Sequence, residues 1–335
     1  MRTAASSAAA TWDCQALPIS PGSPEVGRLW SLLGFSYVAA AEDGRGPFTF
    51  GCAPAHNLRN FNRMRTMKIS YRPSRPAAWP FMLTLSLAIF QAPAAQETNL
   101  LRVMTWNIHH GEGLDGKVDL ERISTLIRNE RADIVALQEV DKGVERTGRR
   151  DIPAEVAKLT AMSCVFSNNY DYQGGEYGNA VLTRFPIKRA TNLHYQKVNE
   201  TEQRALLQLV LEVHGHELVF LATHLDHRPS DAARWSNVAE IERVLQSYKG
   251  LPIIMCGDFN TQPSGRVYTR LKEQFDDTWL LAGKGDGYSI PAEAPSRRID
   301  YIWFNRNKAL VPFKSWVPES LASDHRPVVT EFRLE

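Results

Sequence analysis

Cysteine is scarce in this chain, and its spacing excludes one large class of metal sites. The four cysteines are Cys14, Cys52, Cys164 and Cys256. No two of them have the close spacing that structural zinc sites use, so a cysteine-based zinc site is not expected. Cys256 lies in an apolar run and is expected to be a small buried hydrophobic residue. Whether Cys164 pairs with Cys256 in an exported protein stays open, because sequence alone carries no geometry.

A strong charge of one sign is also absent. The 335 residues carry 39 Lys and Arg and 37 Asp and Glu, a formal net charge of +2. Residues 1–95 hold 9 of the basic and 4 of the acidic side chains, a net charge of +5, which leaves 30 basic and 33 acidic side chains, a net charge of −3, for residues 96–335. The second part therefore has no overall field that attracts polyanions, which argues mildly against unspecific nucleic-acid binding. A local basic groove stays open.

Long hydrophobic runs are missing as well. The apolar run Phe81–Phe90 is shorter than the roughly 20 residues that a membrane-spanning helix needs. Three basic residues precede it after Met67, namely Lys68, Arg72 and Arg75. The small residues Ala92 and Ala94 follow it with one residue between them, as at a cleavage site. This order is typical of a secretory signal peptide, which we expect over residues 67–95.

A signal peptide in this position determines how the residues before it and the residues after it are interpreted. We expect residues 1–66 to be a disordered upstream extension from a misplaced start, with translation beginning at Met67 or Met64. The alternative is a real N-terminal extension followed by a short buried helix or a signal anchor. Residues 96–335 would then form the catalytic domain, exported to the periplasm or the medium. No cysteine stands directly after the cleavage site, so a lipid-anchored form is not indicated.

From residue 100 onward the pattern alternates between strands and helices. Strands are predicted at Leu101–Ile108, Ile134–Leu137, Cys164–Ser167, Ala180–Thr183, Leu206–Val213, Leu218–Thr223, Ile253–Cys256, Ile299–Phe304 and Pro327–Phe332. Helices are predicted after Asp119, over Pro153–Met162 and around Ala232–Leu245. Strand-rich halves with interspersed helices favour a layered α/β sandwich over a regular βαβ wheel.

Polar side chains recur where these apolar strands end. They are Asn107, Glu139, His224, Asp258, Asn260, Asp300, Asp324 and His325. Each has an ordinary structural explanation: Asn107 suits a turn, His224 a hydrogen-bonded core histidine, and Asp258 an Asx turn. Their joint recurrence beside buried strands instead indicates a ligand site, since such sites gather at strand ends in layered α/β folds.

The residue types suit phosphoryl-transfer chemistry. Carboxylates such as Glu139 are hard oxygen ligands for Mg²⁺, and Asn107 and Asn260 can orient water or a phosphoryl oxygen without adding charge. Asp258 can polarise an attacking water. His224 and His325, if cationic, would stabilise the phosphoryl oxygens, and a carboxylate such as Asp300 would orient an imidazole and raise its pKa. No nucleophilic Ser or Cys is required.

These motifs resemble the endonuclease/exonuclease/phosphatase superfamily, which includes pancreatic-type deoxyribonucleases, repair endonucleases, neutral sphingomyelinases and inositol-polyphosphate 5-phosphatases. The matching motifs are Thr105–Asn107, Gln138-Glu139, Thr223-His224, Gly257–Asn260, Arg298–Ile302 and Ser323–His325. They span residues 101–335 in the family's order. GDFN at Gly257–Asn260 is the most specific of them.

The resemblance implies a fold and a set of roles. The fold would be a four-layered α/β sandwich, with two mixed β-sheets packed face to face and flanked by helices. Glu139 would bind Mg²⁺, with Mn²⁺ as an alternative ion, helped by Asn107 and Asp324. Asp258 would orient or deprotonate the water with help from Asn260, and His224 together with the pair His325–Asp300 would hold phosphoryl oxygens. Arg204 would contact phosphate, or else be a surface arginine at a strand edge.

The chain also departs from the family pattern. Repair endonucleases carry an aspartate two residues after the asparagine, where this chain has His109, so a repair role is not favoured. In pancreatic-type nucleases the middle histidine has a glutamate partner on a preceding strand, whereas the matching region here, Arg204-Ala205, offers no carboxylate. His109 and His227 are candidate substrate-contacting residues. His227 and Asp226 would otherwise cap the helix that follows.

The sequence therefore predicts an exported, Mg²⁺-dependent phosphoester hydrolase, most simply a monomeric phosphodiesterase without a membrane span in its mature form. Its substrate would be a lipid headgroup, a small diester or nucleic acid. A secreted nuclease is the alternative within the enzyme class. A binding module that keeps the fold without activity is the alternative outside it, since fold alone does not fix function.

Overall fold

The computed structural model describes residues 99–335. The predicted upstream extension, residues 1–66, and the predicted signal peptide, residues 67–95, lie outside the described residues. Within residues 99–335 no helix is both long enough and apolar enough to cross a membrane.

Twelve strands form two mixed sheets of six strands each. The first sheet contains β1 (Leu100–Asn107), β2 (Ile134–Lys142), β3 (Ser163–Tyr172), β4 (Gly175–Thr183), β11 (Leu310–Trp316) and β12 (Val328–Leu334). Their order across the sheet is β11-β12-β1-β2-β4-β3. Only the β1–β2 pair is parallel among the strands of this sheet.

The second sheet repeats this plan. It contains β5 (Ile187–His194), β6 (Ala205–Val213), β7 (His216–His224), β8 (Ile253–Asp258), β9 (Phe275–Asp277) and β10 (Asp300–Asn305). Their order is β5-β6-β7-β8-β10-β9, and β7–β8 is its parallel pair. Each sheet therefore has two parallel neighbouring strands near its centre, whose carboxyl ends reach the same edge.

Helices cover the outer face of both sheets. They are α1 (Leu120–Asn129), α2 (Ile152–Thr160), α3 (Ala232–Leu245) and α4 (Arg266–Gln274). The short α5 (Thr278–Ala282) instead contacts strands of both sheets, and the Thr278 hydroxyl is hydrogen-bonded to that of Thr330 on β12. Residues Ile123 and Val156, from α1 and α2, pack with the outward side chains of the first sheet. Ile241 and Leu271, from α3 and α4, pack with those of the second. A separate apolar core lies between the sheets, so the four-layered sandwich is confirmed.

The structure corrects several predicted boundaries. Strand β5 was not expected, because its sequence IKRATNLH is half polar and it lies at a sheet edge. Strand β11 was missed for a similar reason, since it is an edge strand with a register shift after Pro312. Helices α4 and α5 and the short β9 were also missed. Strands β3 and β4 extend well beyond the apolar stretches that predicted them, into a polar segment around Asn169.

The two thiols that could have paired lie in different layers. The side chain of Cys256 is buried in the core between the sheets. Cys164 packs with the residues on the outer face of the first sheet. A disulfide between these two residues is therefore excluded, because its sulfur atoms must lie about 2 Å apart.

Candidate active site

Strand register brings three predicted site residues side by side. Asp258, at the end of β8, pairs with His224 on β7 and with Asp300 on β10. Because side chains alternate along a strand, these three point to the same face as the core residues two positions away, Ala222, Cys256 and Ile302. That face lies against the first sheet. The site therefore forms where the interface between the sheets changes from apolar to polar at its edge.

Glu139 reaches the site through a bulge in β2. In a regular strand it would point away from Gln138, but the pairing of β2 with β4 shifts between Leu137 and Val140, and Glu139 has a φ of 58°. A bulge of this kind redirects a side chain. Nδ2 of Asn107, at the end of β1, donates to Oε1 of Glu139 over 2.9 Å. Two of the three residues predicted to hold a metal, Asn107 and Glu139, are thus in direct contact.

Asp258 is the centre of this cluster. Its side chain is buried, and it accepts hydrogen bonds from Nδ2 of Asn107 at 3.2 Å and from the backbone N–H of Asn260 at 2.9 Å. Nε2 of His224 lies 3.5 Å from its Oδ2, and Nε2 of His325 lies 3.8 Å away. Burial, followed by the charge of Asp300, raises the pKa of Asp258 to about 7. A carboxyl group of this kind can exchange a proton with water near neutral pH.

His325 is held by a carboxylate. Its Nδ1 donates to Oδ2 of Asp300 over 2.9 Å, and the Ser289 hydroxyl donates to the same oxygen over 2.5 Å. Burial lowers the pKa of His325, but the charge and hydrogen bond of Asp300 outweigh it and raise the pKa to about 10. His325 is therefore an imidazolium at neutral pH, with Nε2–H directed toward Asp258. The Ser323 hydroxyl joins this loop to β1 by accepting from the His325 N–H and donating to the Asn107 carbonyl.

His224 is held by an arginine. Nη1 of Arg204 lies 2.9 Å from Nδ1 of His224. Because a guanidinium only donates, Nδ1 must be the unprotonated acceptor, and Nε2 carries the proton of a neutral ring. Burial, followed by the charge of Arg204, lowers the pKa of His224 well below its ordinary value. The role in which a cationic His224 would stabilise phosphoryl oxygens therefore does not apply, and the positive charge on this side of the site belongs to Arg204.

Arg204 is not a surface residue. It is 4 % exposed and forms an ion pair of 2.8 Å with Glu202. The phenol of Tyr177, which is buried on β4, is in hydrogen-bonding contact with it. Neither Tyr177 nor Glu202 was predicted. Tyr177 has no signal in the sequence, because its contact depends on β4 meeting the segment before β6 across the two sheets, whereas Glu202 lies only two residues before Arg204.

Asn260 contacts both Asp258 and His224. It has a φ of 47°, in the left-handed region that asparagine tolerates better than most residues. Its backbone N–H holds Asp258, while Nδ2 donates to the Leu225 carbonyl at 3.0 Å and lies 3.2 Å from Nε2 of His224. This arrangement presents the amide of Asn260 beside the imidazole of His224, on the same side of Asp258.

The remaining predicted residues lie at the rim. Asp324 is partly exposed, and its charge is among those that raise the pKa of His325. His227 is exposed, with Nδ1 3.5 Å from Nη2 of Arg204. The backbone N–H of His109 donates to Oδ1 of Asn107 at 3.1 Å. Asp226 does not cap helix α3, because the helix begins after Asp231. The catalytic and substrate roles of these residues stay predictions.

Two groups of side chains among residues 99–335 have a geometry suited to a metal ion. Asp258, Asp300 and His325 each offer a donor atom, and these atoms lie within 4.8 Å of one another. The second group lies on the turn after β1. Beside the first group, Glu139 and Asn107 offer a further carboxylate and a carboxamide at the open side of the site.

Comparison with known proteins gives a consistent result. A profile of the Endonuclease/Exonuclease/phosphatase family matches residues 104–325. The protein YbhP of Escherichia coli strain K12 is 27 % identical over 249 residues, which cover 70 % of this chain and 96 % of YbhP. The 5′-tyrosyl-DNA phosphodiesterase of Caenorhabditis elegans is 26 % identical over 191 residues, 54 % of this chain and 48 % of that protein.

A solved structure shows the same fold. The endonuclease/exonuclease/phosphatase protein from Beutenbergia cavernae is 26 % identical in sequence and superposes with a TM-score of 0.57. The superposition covers 70 % of this chain and 72 % of that chain. The matched range contains every residue described above as part of the site, from Asn107 to His325.

Proposed function

The chain belongs to the endonuclease/exonuclease/phosphatase family, and on this premise we propose that it is an exported, Mg²⁺-dependent phosphodiesterase. Membership in the family makes it a metal-dependent hydrolase of phosphoester bonds. The proposal adds three finer statements: Mg²⁺ is the ion, a diester is the substrate, and the enzyme acts outside the cytoplasm. Each has its own support.

The donors around Glu139 fit Mg²⁺. Glu139 offers carboxylate oxygens and is held by Nδ2 of Asn107, and the partly exposed Asp324 is a further carboxylate at the rim of the site. Mg²⁺ prefers one or two carboxylates and keeps several waters for the substrate phosphate. Bound there, the ion would polarise a phosphoryl oxygen and neutralise negative charge that develops in the transition state.

The buried carboxyl group of Asp258 is the observation that supports the hydrolytic mechanism. It is a buried carboxyl with a pKa near 7, fixed by Asn107 and by the backbone of Asn260. In its ionised form it can take a proton from an attacking water, and its two hydrogen bonds keep the accepting oxygen in place. Replacing it should therefore remove turnover while leaving substrate binding largely intact.

Two donors face Asp258 and would bind the phosphoryl oxygens. His325 brings a positive charge that Asp300 stabilises, and Nε2–H of His224 brings a neutral donor that Arg204 orients. Preorganised donors of this kind stabilise charge that develops in the transition state. The carboxylates of the site, Glu139, Asp258, Asp300 and Asp324, outnumber its two cations, His325 and Arg204. A phosphodiester with one negative charge therefore fits better than a monoester with two.

Within the diesters, a lipid headgroup or a small diester is favoured over a long nucleic acid. The support is the net charge of −3 over residues 96–335, since binding of nucleic acid depends on releasing counterions from many phosphates. Export is supported by the signal-peptide layout of residues 67–95. N-terminal sequencing of the protein secreted from an expressing bacterium should find a chain that begins near Ala95, whereas a chain that begins at Met1 would contradict export.

The proposed function is tested with the full chain and three variants. Asp258→Ala removes the base, Asp300→Asn removes the partner of His325, and Asp115→Ala is the control because Asp115 is exposed and pairs with Arg122, which is not part of the site. Hydrolysis of bis-p-nitrophenyl phosphate should require Mg²⁺, stop with EDTA and fall about 10³-fold in Asp258→Ala. The control should match the wild type.

A second assay separates the alternatives. Plasmid nicking that needs Mg²⁺ and disappears in Asp258→Ala would make the protein a secreted nuclease. Diester turnover without nicking supports the proposal. A folded protein with neither activity would be a binding module, and wild-type turnover in Asp258→Ala would contradict the mechanism.

A further inference from the structure

A second group of metal-binding side chains lies on the turn after β1, outside the catalytic cluster. His109, His110 and Glu112 each place one donor atom within 4.8 Å of the others. The turn is a single 3-10 helical turn over His109–Gly111, and its hydrogen bonds close back on Ile108 and His109. Three donors on four consecutive residues are thus held in one place by local backbone structure.

His110 has a buried nitrogen without a hydrogen-bond partner. Its side chain is 8 % exposed, and its Nδ1 contacts no donor or acceptor among residues 99–335. Since the two nitrogens of an imidazole point in different directions, His110 can face a shared ion with only one of them, and Nδ1 is not the one beside Glu112. Its other nitrogen, Nε2, lies 3.4 Å from Oε2 of Glu112. Ligands bound to one ion at about 2.1 Å in a tetrahedron lie roughly 3.4 Å apart, so this pair already has the spacing of shared coordination.

The surrounding charges permit a cation. The nearest positive group is Arg146, which is held by the buried Asp141 through two hydrogen bonds of 2.8 Å. That pair is neutral as a unit, and Glu112 remains as an unneutralised carboxylate of the cluster. Neutral imidazole is the form that binds metals.

We propose that His109, His110 and Glu112 form a second metal site that binds Zn²⁺ or a similar transition-metal ion. Two imidazole nitrogens and one carboxylate select such ions over Mg²⁺, which prefers an all-oxygen site like that at Glu139. Three protein ligands leave a position for water or substrate, as in catalytic zinc sites. This site is independent of the proposed function, because its occupation can be measured without any substrate.

The site is also coupled to the catalytic cluster through one residue. The backbone N–H of His109 donates to Oδ1 of Asn107, whose Nδ2 holds Glu139 and Asp258. An ion that fixes the turn would therefore fix the carboxamide of Asn107 as well.

Direct measurement of bound metal tests the proposal. The full chain, prepared without a histidine tag and stripped with chelator, is titrated with Zn²⁺ in competition with a chromophoric chelator, and with Co²⁺ followed by visible absorption. His109→Ala and Glu112→Gln each remove one ligand on a partly exposed side chain. His227→Ala and Asp300→Asn are the matched controls, one for a histidine outside the cluster and one for the catalytic group.

The wild type should bind one equivalent of Zn²⁺ that the two cluster variants bind at least about tenfold more weakly. Both controls should keep that equivalent, and the Co²⁺ absorption should disappear in His109→Ala alone among the histidine variants. If the bound Zn²⁺ is lost in Asp300→Asn but kept in His109→Ala, the ion lies in the catalytic cluster. That result would overturn the proposal. Equal binding by all variants, or no binding by the wild type, would also overturn it.

Discussion

The guanidinium of Arg204 lies 2.9 Å from Nδ1 of His224, where the pancreatic-type nucleases have a glutamate. A glutamate partner would accept a proton from Nδ1 and favour an imidazolium. The arginine does the reverse, because it donates to Nδ1 and repels a second positive charge. The positive charge on this side of the catalytic centre therefore lies on Arg204, one residue further from Asp258 than His224.

Replacing Arg204 should separate the effect of its charge from that of its hydrogen bond. Arg204→Gln keeps a donor for Nδ1 of His224, whereas Arg204→Met keeps only the size of the side chain. We expect kcat/KM for a diester to fall roughly 10²–10³-fold in Arg204→Met, because both the orientation of His224 and the positive charge are lost. The loss in Arg204→Gln should be smaller.

The control for these variants is Arg266→Met, which removes an exposed arginine that pairs with Asp231. Nitrogen chemical shifts of the His224 ring report its tautomer directly. A ring that carries its proton on Nδ1 in the wild type would contradict the assignment of Arg204 as its donor.

Asp300→Asn should remove the raised pKa of His325. In the wild type the charge and hydrogen bond of Asp300 raise the pKa of His325 to about 10, although burial lowers it. In Asp300→Asn burial still lowers the pKa and only the charges of Asp258 and Asp324 still raise it, so the imidazole should lose its proton at a lower pH than in the wild type. Ring resonances of His325 followed by NMR between pH 5 and 10 measure this change, and Asp276→Asn, on an exposed ion pair, is the control.

The same pair sets the direction of a stability change with pH. The folded-state pKa of His325 lies above its unfolded value of about 6.5, so the pair stabilises the fold fully below that pH and loses its contribution as the pH rises toward 10. The midpoint of urea unfolding, measured without metal, should therefore fall through this window more steeply in the wild type than in Asp300→Asn. Parallel curves for the two proteins would contradict the pairing.

Glu139→Gln should weaken the response to Mg²⁺ more than the folding. The side chain is partly exposed and its Oε1 accepts only from Asn107 among the hydrogen bonds found. An amide of the same size keeps the contact but loses the negative charge that holds the cation. We expect the Mg²⁺ concentration for half-maximal turnover to rise at least about tenfold, with little change in the unfolding midpoint. Glu176→Gln on β4 is the control, and an unchanged Mg²⁺ response would remove Glu139 from the metal site.

The sequence predicted the part of the site that lies on central strands. Strands β1, β7 and β8 are buried on both faces, so their apolar runs end sharply at Asn107, His224 and Asp258. This contrast between core and edge can be read from one chain. The order of the motifs also predicted the family, and with it the two facing sheets.

The edge strands of the sheets and the hydrogen-bond partners of the site residues could not be predicted in this way. Strands β5 and β11 are half exposed and half polar, so no run of apolar residues marks them. The partnership of Arg204 with His224 depends on the pairing of β6 with β7, and the hydroxyl of Ser289 reaches Asp300 from a loop with no regular pattern. The redirection of Glu139 depends on a register shift that only the paired strands reveal. Pairwise contacts between distant segments are absent from a single sequence.

The last prediction concerns Gly257, the first residue of the GDFN motif. Strand β8 passes so close to β7 at this point that a Cβ on Gly257 would lie 1.9 Å from the carbonyl oxygen of Thr223. This contact is to backbone, which cannot move aside without separating His224 from Asp258. We expect Gly257→Ala to lower the free energy of unfolding by more than about 3 kcal/mol, or to abolish folding.

Gly116→Ala is the matched control. Gly116 has a φ of 70° and no atom within 4 Å of an added Cβ, so it isolates the cost of the left-handed backbone. That cost should be about 1–2 kcal/mol. The loss of unfolding free energy in Gly116→Ala therefore measures backbone strain alone, and the additional loss in Gly257→Ala measures the steric conflict between β7 and β8. If both variants lose the same stability, the close approach of β7 and β8 does not limit this position, and the motif requires glycine only for its backbone conformation.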